Sequence, residues 1–248
     1  EGDQLSRLQP WSVSLILSRK YIVSSGVDNY LSLWNIANPK RNLTLDGHTK
    51  KISAVTFSPN AHIIASASFD NSVRLWFPGS SIKPKVLKGH TAPVRSVDFF
   101  RDGSTLLTAG DDKSIKLWDS ESLKFKGSFL GHTNWVRSAK SNLDMTMVCS
   151  GGEDKKLVIW DVEKRKEVQK YDCFDAALTC TAFHPTDPTV LASTADKTIS
   201  MFDLRHEQIV QHYEAHPGSV NSFSVHPEGN HMVSVSNNSE IKVKQSTI

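Results

Sequence analysis

Residues 47–76 read "GHTKKISAVTFSPNAHIIASASFDNSVRLW". After the glycine-histidine pair comes "ISAVTF", then the turn "SPNA", then "HIIASAS", the turn "FDN" and "SVRLW", with a further extended stretch around "KPKVL". Runs of β-branched and aromatic residues parted by Pro, Asn, Asp and Gly clusters predict four antiparallel strands. Nothing in the stretch has helical period.

The same grammar recurs along the chain. His48, His90 and His132 are 42 residues apart, and His216 stands two periods further on. Trp34, Trp76, Trp118 and Trp160 keep that spacing, with Phe202 next in register; so do Asp28, Asp70, Asp112, Asp154 and Asp196, followed by Asn238. Three residue types locked to one period over about six copies, with no insertion, define a tandem repeat.

A period in the low forties, an early Gly-His and a late Trp-Asp, as in "LWDS" (117–120) and "IWDV" (159–162), resemble the WD40 repeat. The resemblance implies an all-β β-propeller in which each repeat supplies one four-stranded blade. One WD40 propeller domain is expected over residues 1–248, with repeats at about 4–45, 46–87, 88–129, 130–171, 172–213 and 214–248. It also implies a hydrogen-bonded tetrad in each complete blade: His48, Ser66, Asp70 and Trp76; His90, Thr108, Asp112 and Trp118; His132, Ser150, Asp154 and Trp160. The indole N–H can only donate and the carboxylate can only accept, so such a set fits together. An unsatisfied member costs about 1–3 kcal/mol.

Ser, His and Asp are also the inventory of a hydrolase triad. An enzyme needs one nucleophile aimed at one pocket, whereas this set recurs with every complete repeat, so no catalytic residue is expected. His62, His184, His206, His212, His226 and His231 show no metal-site spacing, and no metal ligand or cofactor is expected. His184 and His226, each before a proline, are expected in the turn after the first strand of their repeats. There is no GxxxxGK[ST] or GxGxxG stretch to hold a nucleotide.

The bulk numbers agree with a binding module. Net charge is +3 over 248 residues, and no basic stripe interleaved with aromatics points to nucleic acid. No apolar run is long enough for a membrane span, and a small-molecule substrate is not expected. Cys149, Cys173 and Cys180 form no CxxC pair and read as reduced thiols. Cys149 and Cys180 are expected to be small buried hydrophobes, and Cys173, in the glycine slot, to be exposed. The chain opens on Glu1 and is expected to be part of a longer protein.

The copies are not equal. Repeat one has Ser6 in the histidine slot; repeat five has Phe174, Ala192 and Phe202 and keeps only Asp196; repeat six keeps His216 and Ser234 but has Asn238 and Lys244. Repeat five and the flanks are expected to be the softer parts. Most WD40 rings have seven blades, so a seventh repeat beyond Ile248 is expected, with a six-bladed ring as the alternative.

"GHTNWVR" (131–137) in the fourth repeat and "VQHYEAHPGSVNSFSVHPEGNHMVS" (210–234) around the sixth resemble the proteome-of-centriole WD40 family of centrioles and basal bodies. The likeness runs over repeats two to six. It implies a non-enzymatic scaffold that binds tubulin in the microtubule wall and neighbouring centriolar or ciliary proteins, stabilising triplets or doublets. The implied location is the cytoplasm and cytoskeleton, at the centriole or basal body and along the ciliary axoneme. The alternative is a WD40 adaptor of another kind: a ubiquitin-ligase substrate receptor, a chromatin reader or a dynein-associated regulator.

Loops on a rigid frame are free to vary and to bind. Trp135 lies outside the repeated tryptophan series, with Lys51, Pro93, Ala177 and Ser219 as its counterparts. Arg95 and Arg137 follow at equivalent positions. An exposed Trp beside arginines has the composition of an interface hot spot; alternatively Trp135 packs over the seam between the third and fourth blades and the arginines pair with Asp111 and Glu153. Lys50, Lys51 and "EKRKE" (163–167) could steer toward acidic surfaces, or be solvated loops. Trp11, near the start of the first repeat, is expected to pack in the core.

Overall fold

The computed structural model describes residues 10–15, 21–26, 28–38, 42–80 and 82–245, with residues 10–15 described for the backbone alone. Ser6 and the Trp11 side chain lie outside the described residues. The chain divides into two compact units: residues 1–112 with 116–127, and residues 113–115 with 128–248.

Every described element is a strand. The first sheet holds β1 (Pro10–Leu15), β2 (Tyr21–Gly26), β3 (Leu31–Asn35) and β4 (Asn42–Leu45). The second holds β5 (Ile52–Phe57), β6 (Ile64–Ser68), β7 (Ser72–Trp76) and β8 (Lys85–Lys88). The third holds β9 (Val94–Phe99), β10 (Thr105–Gly110), β11 (Ser114–Asp119) and β12 (Phe125–Leu130). The fourth holds β13 (Val136–Ser141), β14 (Met147–Gly152), β15 (Leu157–Asp161) and β16 (Lys166–Tyr171). The fifth holds β17 (Leu178–Phe183), β18 (Thr189–Thr194), β19 (Thr198–Asp203) and β20 (Gln208–Glu214). The sixth holds β21 (Val220–Val225), β22 (His231–Ser236) and β23 (Ile241–Gln245). Each sheet is an antiparallel meander in sequence order, the blade of a β-propeller, and the described residues form six such blades.

Within a blade, burial tracks strand order. The second strands β6, β10 and β18 are buried at every residue, whereas the fourth strands β4, β8 and β20 are largely exposed. The second strand is therefore continuously apolar or small, as a strand covered on both faces must be. In the first unit one core gathers Val23, Leu31, Leu33, Ile52, Val55, Phe57, Ile64 and Trp76 between the first two blades. In the second, Cys149, Leu157, Ile159, Leu178, Val190 and Phe202 do the same between the fourth and fifth.

Two backbone devices repeat with the sequence. The pairing of first and second strand skips one residue at the same register in every blade: between Pro10 and Ser12, Ile52 and Ala54, Val94 and Ser96, Val136 and Ser138, Leu178 and Cys180, and Val220 and Ser222. The bulged residues are thus Trp11, Ser53, Arg95, Arg137, Thr179 and Asn221, and a bulge re-aims the side chain it carries. The residue after the turn acid adopts left-handed φ in the second to fifth blades, 67° at Asn71, 66° at Lys113, 62° at Lys155 and 85° at Lys197. Lysine is unusual there; the short hairpin loop, three residues long between β6 and β7, β10 and β11, and β18 and β19, closes through a left-handed residue.

Candidate functional site

In the second blade, His48 Nδ1 is 2.8 Å from Asp70 Oδ2, and His48 Nε2 is 2.8 Å from Ser66 Oγ. The Trp76 indole donates to the same Ser66 Oγ at 2.8 Å. The third blade repeats this with His90–Asp112 at 2.9 Å, His90–Thr108 at 2.8 Å and Trp118–Thr108 at 2.9 Å. The fourth does so with His132–Asp154 at 2.8 Å, His132–Ser150 at 2.7 Å and Trp160–Ser150 at 2.7 Å. The chemistry of the end members orders the chain of protons. The indole must donate, so the hydroxyl accepts from it and donates to Nε2; the imidazole proton then sits on Nδ1 and is given to the carboxylate. The acid also accepts the amide of the residue after the histidine, as Thr49 does to Asp70 at 3.1 Å.

Hydroxyl, imidazole and carboxylate stand in the order a hydrolase uses, yet the arrangement holds rather than reacts. Ser66, Thr108 and Ser150 are 0 % exposed, so no substrate carbonyl can reach them. Burial lowers the His48 pKa below its usual 6.5, against the pull of Asp70. Burial would raise the Asp70 carboxyl, but the Ser72 hydroxyl and His48 bring it down to about 2.

In the third and fourth blades the glycine before the histidine is dictated by the tryptophan. A Cβ on Gly89 would stand 2.6 Å from the Trp118 ring, and one on Gly131 would stand 3.0 Å from that of Trp160. In the fifth blade Phe202 is the smaller ring, and a side chain, Cys173, is present in that slot. There Phe174 packs on Phe202 with centroids 5.4 Å apart, and Tyr171 does so at 4.6 Å. Ala192 and Phe202 are fully buried. The polar set has been exchanged as a group for an apolar one. Asp196 accepts instead from the Thr194 and Thr198 hydroxyls. In the sixth blade His216 Nε2 keeps Ser234 Oγ at 2.8 Å, while buried Nδ1 makes no hydrogen bond and has Glu240 Oε2 3.7 Å away. The first blade retains the Trp34–Ser24 bond at 3.0 Å.

The surface residues fall at the bulges and on the loops before them. Arg95 Nε and Nη2 donate to the two oxygens of Asp111 at 2.7 and 2.8 Å. Arg137 donates to Glu153, its Nε at 2.7 Å. Of the two readings open for these arginines, pairing with the turn acids is the one the geometry carries. Arg95 also lies over the Phe69 ring at 4.4 Å, with Lys51 Nζ 4.0 Å from the same centroid. Phe69 escaped the sequence reading because it occupies a position that is Asp111 or Glu153 in the next two blades. Lys50 is exposed. Trp135 is 43 % exposed, its amide held by Asn134 Oδ1 at 2.9 Å and its carbonyl by the Glu153 amide at 2.9 Å.

The remaining expectations divide. Cys149 is buried, its thiol pushed up to about 12 by that burial; Cys180 is half-buried; Cys173 is exposed. His184 does more than turn the chain. It is buried, its Nε2 is 3.1 Å from the Gly229 carbonyl in the sixth blade, and its Nδ1 accepts from the Asp187 amide at 3.2 Å. Gly229 has φ 76°, and a Cβ there would meet the His184 ring at 2.7 Å. Seen from sequence, only the shared "HP" and the following glycine hint at this inter-blade bridge.

Among known families, the model for WD40, described as "WD domain, G-beta repeat", matches residues 39–76, 82–119, 123–161, 165–203 and 207–243. No curated protein matches the chain.

Proposed function

The chain belongs to the WD domain, G-beta repeat family, and on that premise we propose that it is a non-enzymatic scaffold of centrioles and basal bodies, binding tubulin and neighbouring centriolar or ciliary proteins. WD40 domains in general mediate protein–protein interactions. The observation that carries the scaffold reading is the closed state of the tetrads: the polar groups best suited to chemistry are consumed inside the blades. What remains for partners is the loop surface. Trp135 supplies an exposed aromatic there, and Arg137, held by Glu153, supplies a fixed charge beside it. Aromatic and arginine anchors of this kind carry most of an interface's energy. Lys50 and Lys51 add positive charge that speeds encounter with acidic surfaces such as tubulin's. The centriolar assignment draws its support from the "NWVR" and "QHYEAHPGSVNSFSVHPEGN" stretches.

The test is to tag the full-length protein in ciliated cells and locate it by expansion microscopy against a tubulin stain. Signal within the microtubule wall is expected, with retention lost in the Trp135→Ala, Arg137→Ala double variant. A diffuse or nuclear signal in every cell-cycle stage would overturn the centriolar reading and leave a WD40 adaptor acting elsewhere.

A further inference from the structure

One strand position separates the fifth blade from the second, third and sixth. On the third strand, Ser32, Arg74, Lys116, Val158, Ser200 and Lys242 share a register, so the first blade has a serine there as the fifth does. The Arg74 guanidinium lies against the Gly-His turn of its blade, with Nη1 2.5 Å from where a Cβ on Gly47 would be. Lys116 Nζ is 3.5 Å from Asp112 Oδ2. In the fourth blade Val158 cannot serve, and Lys156, two residues earlier, sits in the field of Asp154 and 2.9 Å from Asp172 Oδ2. Lys242 lies 3.7 Å from Glu240 Oε2. The third and fourth blades thus carry a cation beside the turn acid, and the second and sixth keep one against the segment before the histidine, where Lys242 Nζ donates to the Ala215 carbonyl at 3.0 Å.

The fifth blade has Ser200 and Thr198 at the two positions that supply these cations. A cavity of about 210 Å³ opens there, lined by Cys173, Asp175, Asp196, Thr198, Ser200 and His212. Cys173 and Ser200 are the register equivalents of Gly47 and Arg74, the pair in contact in the second blade. The cavity therefore occupies the place where the second blade keeps its guanidinium. Its lining is rich in acceptors. The two hydroxyl bonds to Asp196 both fall on Oδ1, leaving Oδ2 for a further donor. Ser200 Oγ is 2.8 Å from His212 Nδ1, and its lone pairs stay available when it donates to the ring. The Asp175 and Cys173 side chains are exposed at the mouth.

We infer that this cavity is a pocket for an arginine side chain of a partner protein, whose guanidinium takes the place that Arg74 fills in the second blade. Arginine fits better than lysine. Its planar fork offers five donors to acceptors arranged around it, and it loses less hydration on entering a half-enclosed site. The Phe174 ring, also in the wall, offers a face for the guanidinium. The inference rests on the interaction-scaffold reading and not on the place in the cell where the chain acts.

The test is a nuclear magnetic resonance titration of the whole chain with acetyl-Gly-Gly-Arg-Gly-Gly-amide and with its citrulline and lysine twins. Saturable shifts at the Cys173, Asp175 and Thr198 amides are expected with the arginine peptide. Binding of the neutral citrulline twin, and of the arginine peptide to Asp196→Asn, should be weaker by about tenfold or more. Ser200→Arg should abolish binding, because its own side chain fills the pocket; Asp175→Asn, at the exposed mouth, should weaken it with the fold intact. Equal binding of the citrulline twin, tighter binding of the lysine twin, unaltered binding to Ser200→Arg, or no saturable shift up to about 10 mM peptide would each overturn the inference. Any of these failures leaves the basal-body localisation of the tagged protein untouched, so the two readings fail separately.

Discussion

The fourth and fifth blades solve one packing problem in opposite ways. The fourth buries a tryptophan, a serine, a histidine and an aspartate, and satisfies every donor along a single chain from indole to carboxylate. The fifth buries Phe202 and Ala192 and half-buries Phe174 at the corresponding positions, with Tyr171 packed on Phe202 as Phe129 packs on Trp160 in the fourth. Removing one member of a buried polar set is costly, whereas replacing all its partners by apolar groups is nearly neutral. The pair of blades shows why such repeats diverge in groups of residues and not one at a time.

The comparison can be broken most sharply at the tryptophan. Trp160→Ala should cost roughly 3–5 kcal/mol in denaturant unfolding, since it opens a cavity in a fully packed site and strips Ser150 of its donor. Mixed blades should come next. Ser150→Ala leaves both the Trp160 N–H and His132 Nε2 without a partner, and Ala192→Ser puts a lone hydroxyl among rings; each should cost about 1–3 kcal/mol by the same measurement. If Ala192→Ser is neutral, the fifth blade is not the dry core described. The glycine slot gives a paired contrast: Gly89→Ala, driven into the Trp118 ring, should lose about 1–3 kcal/mol, while Cys173→Ala should change stability by less than about 0.5 kcal/mol.

Acid gives the smallest and most graded effect, because it acts on the tetrads and spares the fifth blade's apolar trio. His48 has its pKa lowered from 6.5 in the fold, so the fold binds fewer protons there and stability should begin to fall as pH drops below that value. Asp70, at about 2 against a usual 3.8, contributes stability that is complete above 3.8 and is lost as pH falls from there toward 2. Thermal midpoints measured from pH 8 to pH 2 should show two declines. The second should shrink in Asp70→Asn, which starts from a lower midpoint, and persist in part because Asp154 and Asp119 are also held below the usual carboxylate range.

By itself the sequence determined the repeat and the blade, and its resemblance to the WD40 repeat implied the tetrad. A period of 42 carried by three chemically different residues can be satisfied only if each copy folds alike, and a donor-only indole and an acceptor-only carboxylate can be joined through a hydroxyl and an imidazole. The apolar substitution of the fifth repeat was equally plain, since all three changes fall in one copy. Only the tertiary structure decided what depends on space between residues far apart in the chain. It set the bulge that turns Arg95 and Arg137 onto Asp111 and Glu153, and the bridge from His184 to the Gly229 carbonyl. It also set the cavity left where Ser200 stands in the register of Arg74. Periodicity records which residue type recurs. It does not record the volume a missing side chain leaves, because that volume is fixed by the neighbours that close around it and by how far they can move.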